Sequence, residues 1–173
     1  FFKMMTSHYA HEVGAIATHM AQPFTDRVGS GGHIHYHLAN AANGENLFVD
    51  EEDPRGLGLS RLAYHFIGGV FAHAPALCSV MSPTVNCYKR LQVGPVSMDP
   101  NSEFVWTHAF VSYGDNNRTQ MIRTAGPGHL EDRTMSSACN AFLALSAYVM
   151  AGLDGIRREL DPGEPFLGNL YSL

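Results

Sequence analysis

The sequence is most informative at Gly29-Ser30-Gly31-Gly32-His33-Ile34-His35-Tyr36-His37, where a glycine-rich turn runs into alternating histidines. Side chains alternate between the two faces of a strand, so this spacing places His33, His35 and His37 on one face. Glycine lets the backbone adopt positive φ and approach a charged ligand closely. Because same-face positions are about 6.5–7 Å apart, one metal ion would be held by at most two of these imidazoles. The remaining imidazole would reach a neighbouring metal or phosphate.

The same histidines are open to a second interpretation. They also fit a half-buried strand whose imidazoles form hydrogen bonds with backbone carbonyls and bind no ligand. A third possibility is a metal-binding module unrelated to any nucleotide enzyme, which would bind zinc without nucleotide. The pattern alone leaves these interpretations open.

Composition narrows the class of protein. The chain has 173 residues, of which 45% are hydrophobic and 16% charged, and these values predict one globular domain. A net charge of -5 without a basic cluster disfavours a nucleic-acid surface, and no apolar run is long enough to span a membrane. Three separated cysteines, Cys78, Cys87 and Cys139, fit reduced thiols in a cytosol. We therefore expect a cytoplasmic protein that binds small molecules.

Arginine dominates the basic residues, nine arginines against two lysines. A guanidinium group matches carboxylate and phosphate oxygens in a bidentate geometry, whereas lysine supplies a mobile point charge. Arg90, Arg118, Arg123 and Arg133 lie near turns between two predicted helices, which favours anion recognition. For any one of them, a surface salt bridge is the alternative.

The hydrophobic pattern predicts alternating helices and strands. We expect a helix over 2–13 closed by Gly14, a strand over 15–20, and a long closing helix over 137–160. An amphipathic helix starts at Ser60 and is stopped by Pro75. The pattern also predicts extended segments at 121–123 and 130–133, and close packing of another element against Gly68-Gly69.

Five motifs occur in the order and approximate spacing found in glutamine synthetases. They are Gly29-Ser30-Gly31-Gly32-His33-Ile34-His35, Pro83-Thr84-Val85-Asn86-Cys87-Tyr88-Lys89-Arg90, Asn117-Arg118-Thr119 with Arg123, Glu131-Asp132-Arg133, and Ala151-Gly152-Leu153-Asp154-Gly155. Nearly all of the chain resembles the middle and later part of the family's catalytic domain.

This resemblance implies an α+β (α/β) fold, a catalytic barrel on an antiparallel sheet with outer helices, incomplete in this chain. Residues 1–173 would be part of one catalytic domain, without the amino-terminal β-grasp domain and the carboxy-terminal remainder. The family also implies a homo-oligomer, a dodecamer of two stacked rings, with active sites at subunit borders. The segment alone would then be inactive.

By the same resemblance, His33 and Glu131 bind a divalent metal, Mg²⁺ or Mn²⁺, near the phosphates of ATP. A hard cation accepts this mixed pair if water and phosphate oxygens complete its shell. His35, Arg118 and Arg123 resemble the family's nucleotide-binding residues.

The glutamate site implied by the family comprises Gly29, Arg90 and Arg133, with Arg118 and Arg133 as the catalytic residues. The implied reaction is ATP-dependent ligation of ammonia to L-glutamate through γ-glutamyl phosphate, in nitrogen assimilation. The alternatives are a γ-glutamylamide ligase that uses methylamine or another amine, and a non-catalytic structural or regulatory relative.

Several positions depart from the common family pattern. Val28 replaces an asparagine that contacts glutamate, and His37 replaces a serine near the nucleotide. The family's flap glutamate has no clear counterpart, and Trp106 and Glu103 lie nearest to its position. The glutamates of the second metal site precede this segment, and Glu12 does not resemble them. The amino-acid sequence over 91–95 and 113–118 resembles that of type III-like glutamine synthetases and γ-glutamylmethylamide synthetases.

Overall fold

A small four-stranded sheet and five helices make up the computed structural model, which describes residues 1–25, 27–91, 107–108 and 110–170. The strands are β1 (Ile34–Tyr36), β2 (Tyr113–Gly114), β3 (Ile122–Gly126) and β4 (His129–Asp132). The sheet order is β1-β4-β3-β2; β4 pairs antiparallel with both neighbours, and β2 pairs parallel with β3. The predicted mixed α/β class is confirmed, with one parallel pair in an otherwise antiparallel sheet.

The helices are α1 (Phe2–Glu12), α2 (Arg61–Ala72), α3 (Ala74–Met81), α4 (Val85–Arg90) and α5 (Ala141–Arg157). None of the helices in the described part of the chain is long and apolar enough to cross a membrane.

Strand β1 has the alternation that its sequence predicts. The exposed side chains of His33, His35 and His37 lie on one face, while Ile34 and Tyr36 pack against the hydrophobic core. The polar face of the sheet is therefore available for chemistry and the apolar face is committed to packing.

Helix α2 begins where Ser60 caps it, since the Ser60 side chain accepts a hydrogen bond from the backbone N–H of Ala63. The helix packs tightly against α5. A Cβ at Gly69 would lie 2.2 Å from the carbonyl oxygen of Ala151, and a Cβ at Gly155 would lie 2.4 Å from the nitrogen of Gly69. The expected close packing at the Gly68-Gly69 pair is thus confirmed, and the helix backbones touch.

Three local predictions differ from the structure, and one helix was not predicted. Residues 15–20 form no strand, because no described strand pairs with them. Pro75 does not stop α2, which already ends at Ala72; it lies in the first turn of α3, where its missing N–H costs nothing. The segment Val85–Arg90 is a helix of six residues, too short to show a period in the sequence. The closing helix is shorter at both ends than expected.

We predict that Gly69→Ala lowers the free energy of unfolding of the full-length protein by at least about 2 kcal/mol, because the new methyl group meets fixed backbone atoms of α5. Gly126→Ala is the matched control, since a Cβ there meets nothing within 4 Å. Urea denaturation of both variants measures the difference. Equal stabilities would contradict the backbone contact between the helices.

Candidate active site

The carboxylate of Glu131 lies at the centre of the polar face and is fully buried. Its Oε1 atom is 3.0 Å from Nδ1 of His33 and accepts a hydrogen bond of 2.8 Å from Nη1 of Arg133. Its Oε2 atom accepts a hydrogen bond from Nε of Arg123 and lies 3.9 Å from Nε2 of His35. Five of the predicted site residues therefore meet at one carboxylate.

The strand register brings these residues together. Glu131 of β4 lies opposite His35 of β1 and also opposite Arg123 of β3. Directly opposed residues share a face of the sheet. The pairing of β1, β3 and β4 alone therefore brings together side chains from three distant stretches of sequence. Arg133 follows β4, and its backbone N–H donates to the carbonyl oxygen of Met121 at 3.0 Å, which extends the alignment.

Ionisation of the cluster follows from burial and charge. Burial alone would raise the pKa of Glu131, but the hydrogen bond from Arg123 and the charges of Arg123 and Arg133 outweigh it and lower that pKa. Burial and then the charge of Arg133 lower the pKa of His33. The site thus combines an ionised carboxylate with a neutral imidazole at pH 7.

This donor pair fits a divalent metal ion. Adjacent ligands of an octahedral ion at about 2.1 Å lie about 3.0 Å apart, and Nδ1 of His33 is 3.0 Å from Oε1 of Glu131. No group of three or more histidine, cysteine, aspartate or glutamate residues within the described ranges is arranged to hold a metal. His33 and Glu131 could therefore supply two ligands, with water or phosphate oxygens at the remaining positions.

The glycine-rich turn lies directly over Arg90, whose side chain is buried. A Cβ at Gly31 would lie 2.3 Å from Nη2 of Arg90, and a Cβ at Gly29 would lie 2.4 Å from the carbonyl oxygen of Ala21. Glycine is required at Gly31 because the turn contacts the arginine, and at Gly29 because the turn contacts the backbone of Ala21. The positive charge of Arg90 also lowers the pKa of His33, which places both residues in one electrostatic environment.

Arg118 is separate from the carboxylate cluster. It is exposed in the turn before β3 and forms no hydrogen bond or ion pair with other described residues. Its neighbour Asn116 accepts a hydrogen bond from Nη1 of Arg123, so the turn is tied to the site through Arg123. The structure therefore brings together all the predicted polar site residues except Arg118.

Comparison with known proteins shows the family to which the chain belongs. The family described as glutamine synthetase, catalytic domain, matches residues 1–173. The chain belongs to this family. It is 46% identical to the glutamate–methylamine ligase of Methyloversatilis universalis, over 99% of the chain and 37% of that protein. It is 37% identical to the glutamine synthetase of Rhizobium leguminosarum bv. phaseoli, over 99% of the chain and 38% of that protein.

Solved structures agree with the sequence comparisons. The chain superimposes on the ADP complex of GmaS in its conformation 1 with a TM-score of 0.86 and 41% identity, covering 99% of the chain and 38% of that structure. For ligand-free GmaS the TM-score is 0.84 at 40% identity, with coverages of 99% and 37%. The chain thus spans little more than a third of the length of its relatives, and the glutamine synthetase-type fold is confirmed for this part.

Two histidines of the site were not predicted from the sequence. His129 lies two residues before Glu131, and its Nε2 is 2.9 Å from Nδ1 of His35. The period-2 rule applied to β4 could have found it. His108 is buried, and burial, with the charges of Arg90 and Arg133, lowers its pKa to about 3. No sequence signal indicates His108, because its environment comes from distant elements.

Of the other positions that depart from the family pattern, the structure describes the surroundings of Val28 and Glu12. Val28 is exposed beside the glycine turn and offers no polar side-chain atom. Glu12 lies on α1, where it pairs with His8 at 3.1 Å. Glu103 and Trp106 lie outside the described residues, so their proximity to the flap position stays a prediction.

The opposite face of β4 carries a second buried carboxyl group, Asp132. Burial is the main reason that its pKa rises to about 6, although the backbone N–H of Thr134 donates to its Oδ1 at 2.8 Å. The hydroxyl groups of Tyr36 and Tyr148 share this apolar environment, and burial and the charge of Asp132 raise their pKa values. Adjacent residues of one strand therefore have carboxyl pKa values shifted in opposite directions.

We predict that Asp132→Asn stabilises the protein more at pH 7.5 than at pH 5.0. The pKa of Asp132 is about 6 in the folded protein against an ordinary value of 3.8, so stability is lost as the pH rises from about 4 to 6. Because pH 5.0 lies one unit below the folded pKa, the two stabilisations should differ by about 1 kcal/mol. Urea denaturation at both pH values measures the effect.

Asp53→Asn is the control for this comparison. Hydrogen bonds from Tyr64 and backbone N–H groups lower the pKa of Asp53 despite its partial burial, so it is ionised in both states at both pH values. Its replacement should therefore destabilise the protein equally at pH 5.0 and 7.5. A pH-independent effect of Asp132→Asn would contradict the raised pKa.

Proposed function

We propose that the full-length protein ligates an amine to the γ-carboxylate of L-glutamate, driven by ATP. The observation that carries this proposal is the buried, ionised Glu131 beside neutral His33 and between Arg123 and Arg133, in a chain of the glutamine synthetase family. This arrangement can bind a divalent cation together with anionic substrates. Burying these charges is costly, and their grouping with His33 at a cation-sized spacing favours catalysis over a purely structural role.

The charge balance of the site suits phosphoryl transfer. Arg123 and Arg133 pair with the single carboxylate of Glu131, and the charge of Arg90 acts on the neighbouring His33. Three guanidinium groups near one carboxylate leave an excess of positive charge for phosphate and carboxylate oxygens. A bound Mg²⁺ or Mn²⁺ would neutralise charge on the phosphoryl oxygens. We assign His35, Arg118 and Arg123 to ATP, and Gly29, Arg90 and Arg133 to glutamate.

The proposed reaction has two steps. The γ-carboxylate of glutamate attacks the terminal phosphorus of ATP, and ADP leaves. A neutral amine nitrogen then attacks the carbonyl carbon of γ-glutamyl phosphate, the bond from this carbon to the phosphate oxygen breaks, inorganic phosphate leaves, and the nitrogen loses one proton to water. Arg118 and Arg133 are the proposed catalytic residues. Guanidinium groups can stabilise negative charge on the carboxylate and on the phosphoryl oxygens during the transfer.

Ammonia is the amine that the family pattern implies, and the product would then be glutamine. Methylamine is the second candidate. The identity of 46% to a glutamate–methylamine ligase, against 37–38% for several glutamine synthetases, favours methylamine.

Location and assembly complete the proposal. We infer a cytoplasmic homo-oligomer, the dodecamer of two stacked rings that the family implies. Large apolar side chains exposed on α5, such as Phe142 and Met150, support burial of this surface against further protein.

Phosphate release by the full-length protein tests the function. With glutamate and Mg-ATP present, we expect release that depends on added amine, with a higher kcat/KM for methylamine than for ammonium. The assay compares ammonium, methylamine, ethylamine and propylamine at fixed pH. A preference for ammonium would select glutamine synthesis, and an absence of amine-dependent release would contradict both candidates.

We predict that Arg118→Ala reduces kcat by about 100-fold or more, because the exposed guanidinium is free to meet charge that develops during transfer. The KM for glutamate should change less than threefold, since Arg118 does not contact Arg90 or Gly29. Arg61→Ala, at an exposed position of α2, is the control. Steady-state kinetics decide this, and an unchanged kcat would remove Arg118 from the mechanism.

A further inference from the structure

Two side-chain amides join helix α4 to the segment that leads into the glycine-rich turn. Asn86 accepts a hydrogen bond of 2.8 Å from the backbone N–H of Gln22 and donates one of 2.7 Å to the carbonyl oxygen of Gln22. The Nε2 of Gln22 donates to the carbonyl oxygens of Phe24 and Arg27, both at 2.6 Å. We call these four hydrogen bonds the amide clamp. Gln22 is buried and Asn86 is half-buried, so the clamp is partly shielded from water.

The clamp and Arg90 face the same stretch of chain. Asn86 and Arg90 are four residues apart on α4, and residues at this spacing lie on one side of a helix. Asn86 holds the chain at Gln22, while Arg90 lies against Gly29 and Gly31. The clamp therefore sets how closely the turn approaches the guanidinium group.

Helix α4 is itself fixed to the segment that follows Arg133. The thiol of Cys87 donates to Oγ of Ser136 at 3.1 Å. Just before α4, Oγ of Ser82 donates to the carbonyl oxygen of Thr134 at 3.2 Å. Loss of the clamp would consequently move the turn, and leave Arg90 and Arg133 in place.

We propose that Gln22 and Asn86 are positioning residues for glutamate, acting through the distance between Gly29 and Arg90. The proposal rests on the proposed function, which assigns both of these residues to glutamate. Val28 provides no polar side chain in the turn. The backbone N–H of Ser30 donates to the carbonyl oxygen of Ala21 at 2.7 Å, so the clamp on the adjacent Gln22 acts on the turn through Ala21. Glu131, His35 and Arg123 belong to the sheet, whose backbone pairing does not involve the clamp. His33 follows Gly32, and the backbone N–H of Gly32 is fixed separately by a hydrogen bond of 2.7 Å to the carbonyl oxygen of Met135.

Asn86→Ala and Gln22→Ala in the full-length protein test this inference. Each variant loses two hydrogen bonds, and we expect the KM for glutamate to rise about 5- to 30-fold. The kcat and the affinity for Mg-ADP should stay within twofold. Glutamate binding in the presence of Mg-ADP, measured by calorimetry, should weaken by the same factor as KM rises. Because the two amides hold the same stretch of chain, the double variant should bind glutamate as tightly as the single variant with the lower glutamate affinity.

Asn140→Ala is the matched control, since it also removes an asparagine with two side-chain hydrogen bonds to the backbone, both of which it accepts, at the start of α5. It should lower the melting temperature without changing the KM for glutamate. Asn86→Asp keeps the acceptor for Gln22 N–H and should retain part of the glutamate affinity, which covers the case in which Asn86→Ala fails to fold.

Two results would overturn the proposal: an unchanged glutamate affinity in folded Asn86 and Gln22 variants, or equal losses of glutamate and Mg-ADP affinity. If the parent protein binds glutamate but releases no phosphate with any amine, the proposed function fails while calorimetry still tests the clamp. If the parent does not bind glutamate, the clamp proposal fails as well.

Discussion

The ion pairs of Glu131 organise the polar half of this structure. A buried carboxylate is costly unless it is paired and hydrogen-bonded, and Glu131 meets this condition through Arg123, Arg133 and His33. The partners come from β3, from the residue that follows β4, and from the start of β1. Correct pairing of the three strands and formation of the site are therefore the same event, because a shift of one register position would move Glu131 to the apolar face.

The two faces of β4 use carboxyl groups in opposite ways. Glu131 faces two guanidinium groups and has a lowered pKa, whereas Asp132 faces tyrosines and apolar side chains and has a raised pKa. The polar face favours ionised donors that can bind a cation. The apolar face contains the carboxyl group of Asp132, whose charge opposes folding at neutral pH. Its Oδ1 atom nevertheless accepts a hydrogen bond from the backbone N–H of Thr134 and so fixes the residues that follow Glu131.

The sequence predicted the features that repeat at short range. The alternation over His33 to His37 predicted β1 and its polar face, and Gly68-Gly69 indicated a close contact of helices. The grouping of Glu131 with Arg123 and Arg133 was available only through resemblance to a family, because it depends on strand pairing. Helix α4 was missed because six residues show no period. The environments of His108 and Gln22 were not predictable, since each depends on residues that are distant in sequence.

The contact between α2 and α5 restricts how this sequence can change during evolution. Where helices meet through side chains, a larger residue on one helix can be compensated by a smaller one on the other. At Gly69 and Gly155 the nearest atoms belong to the opposite backbone, so no second substitution can make room. Substitutions should therefore be tolerated mainly on the outer surface of α5. The backbone amide hydrogens of α2 and α5 at the glycine contact should exchange with solvent among the slowest in the domain.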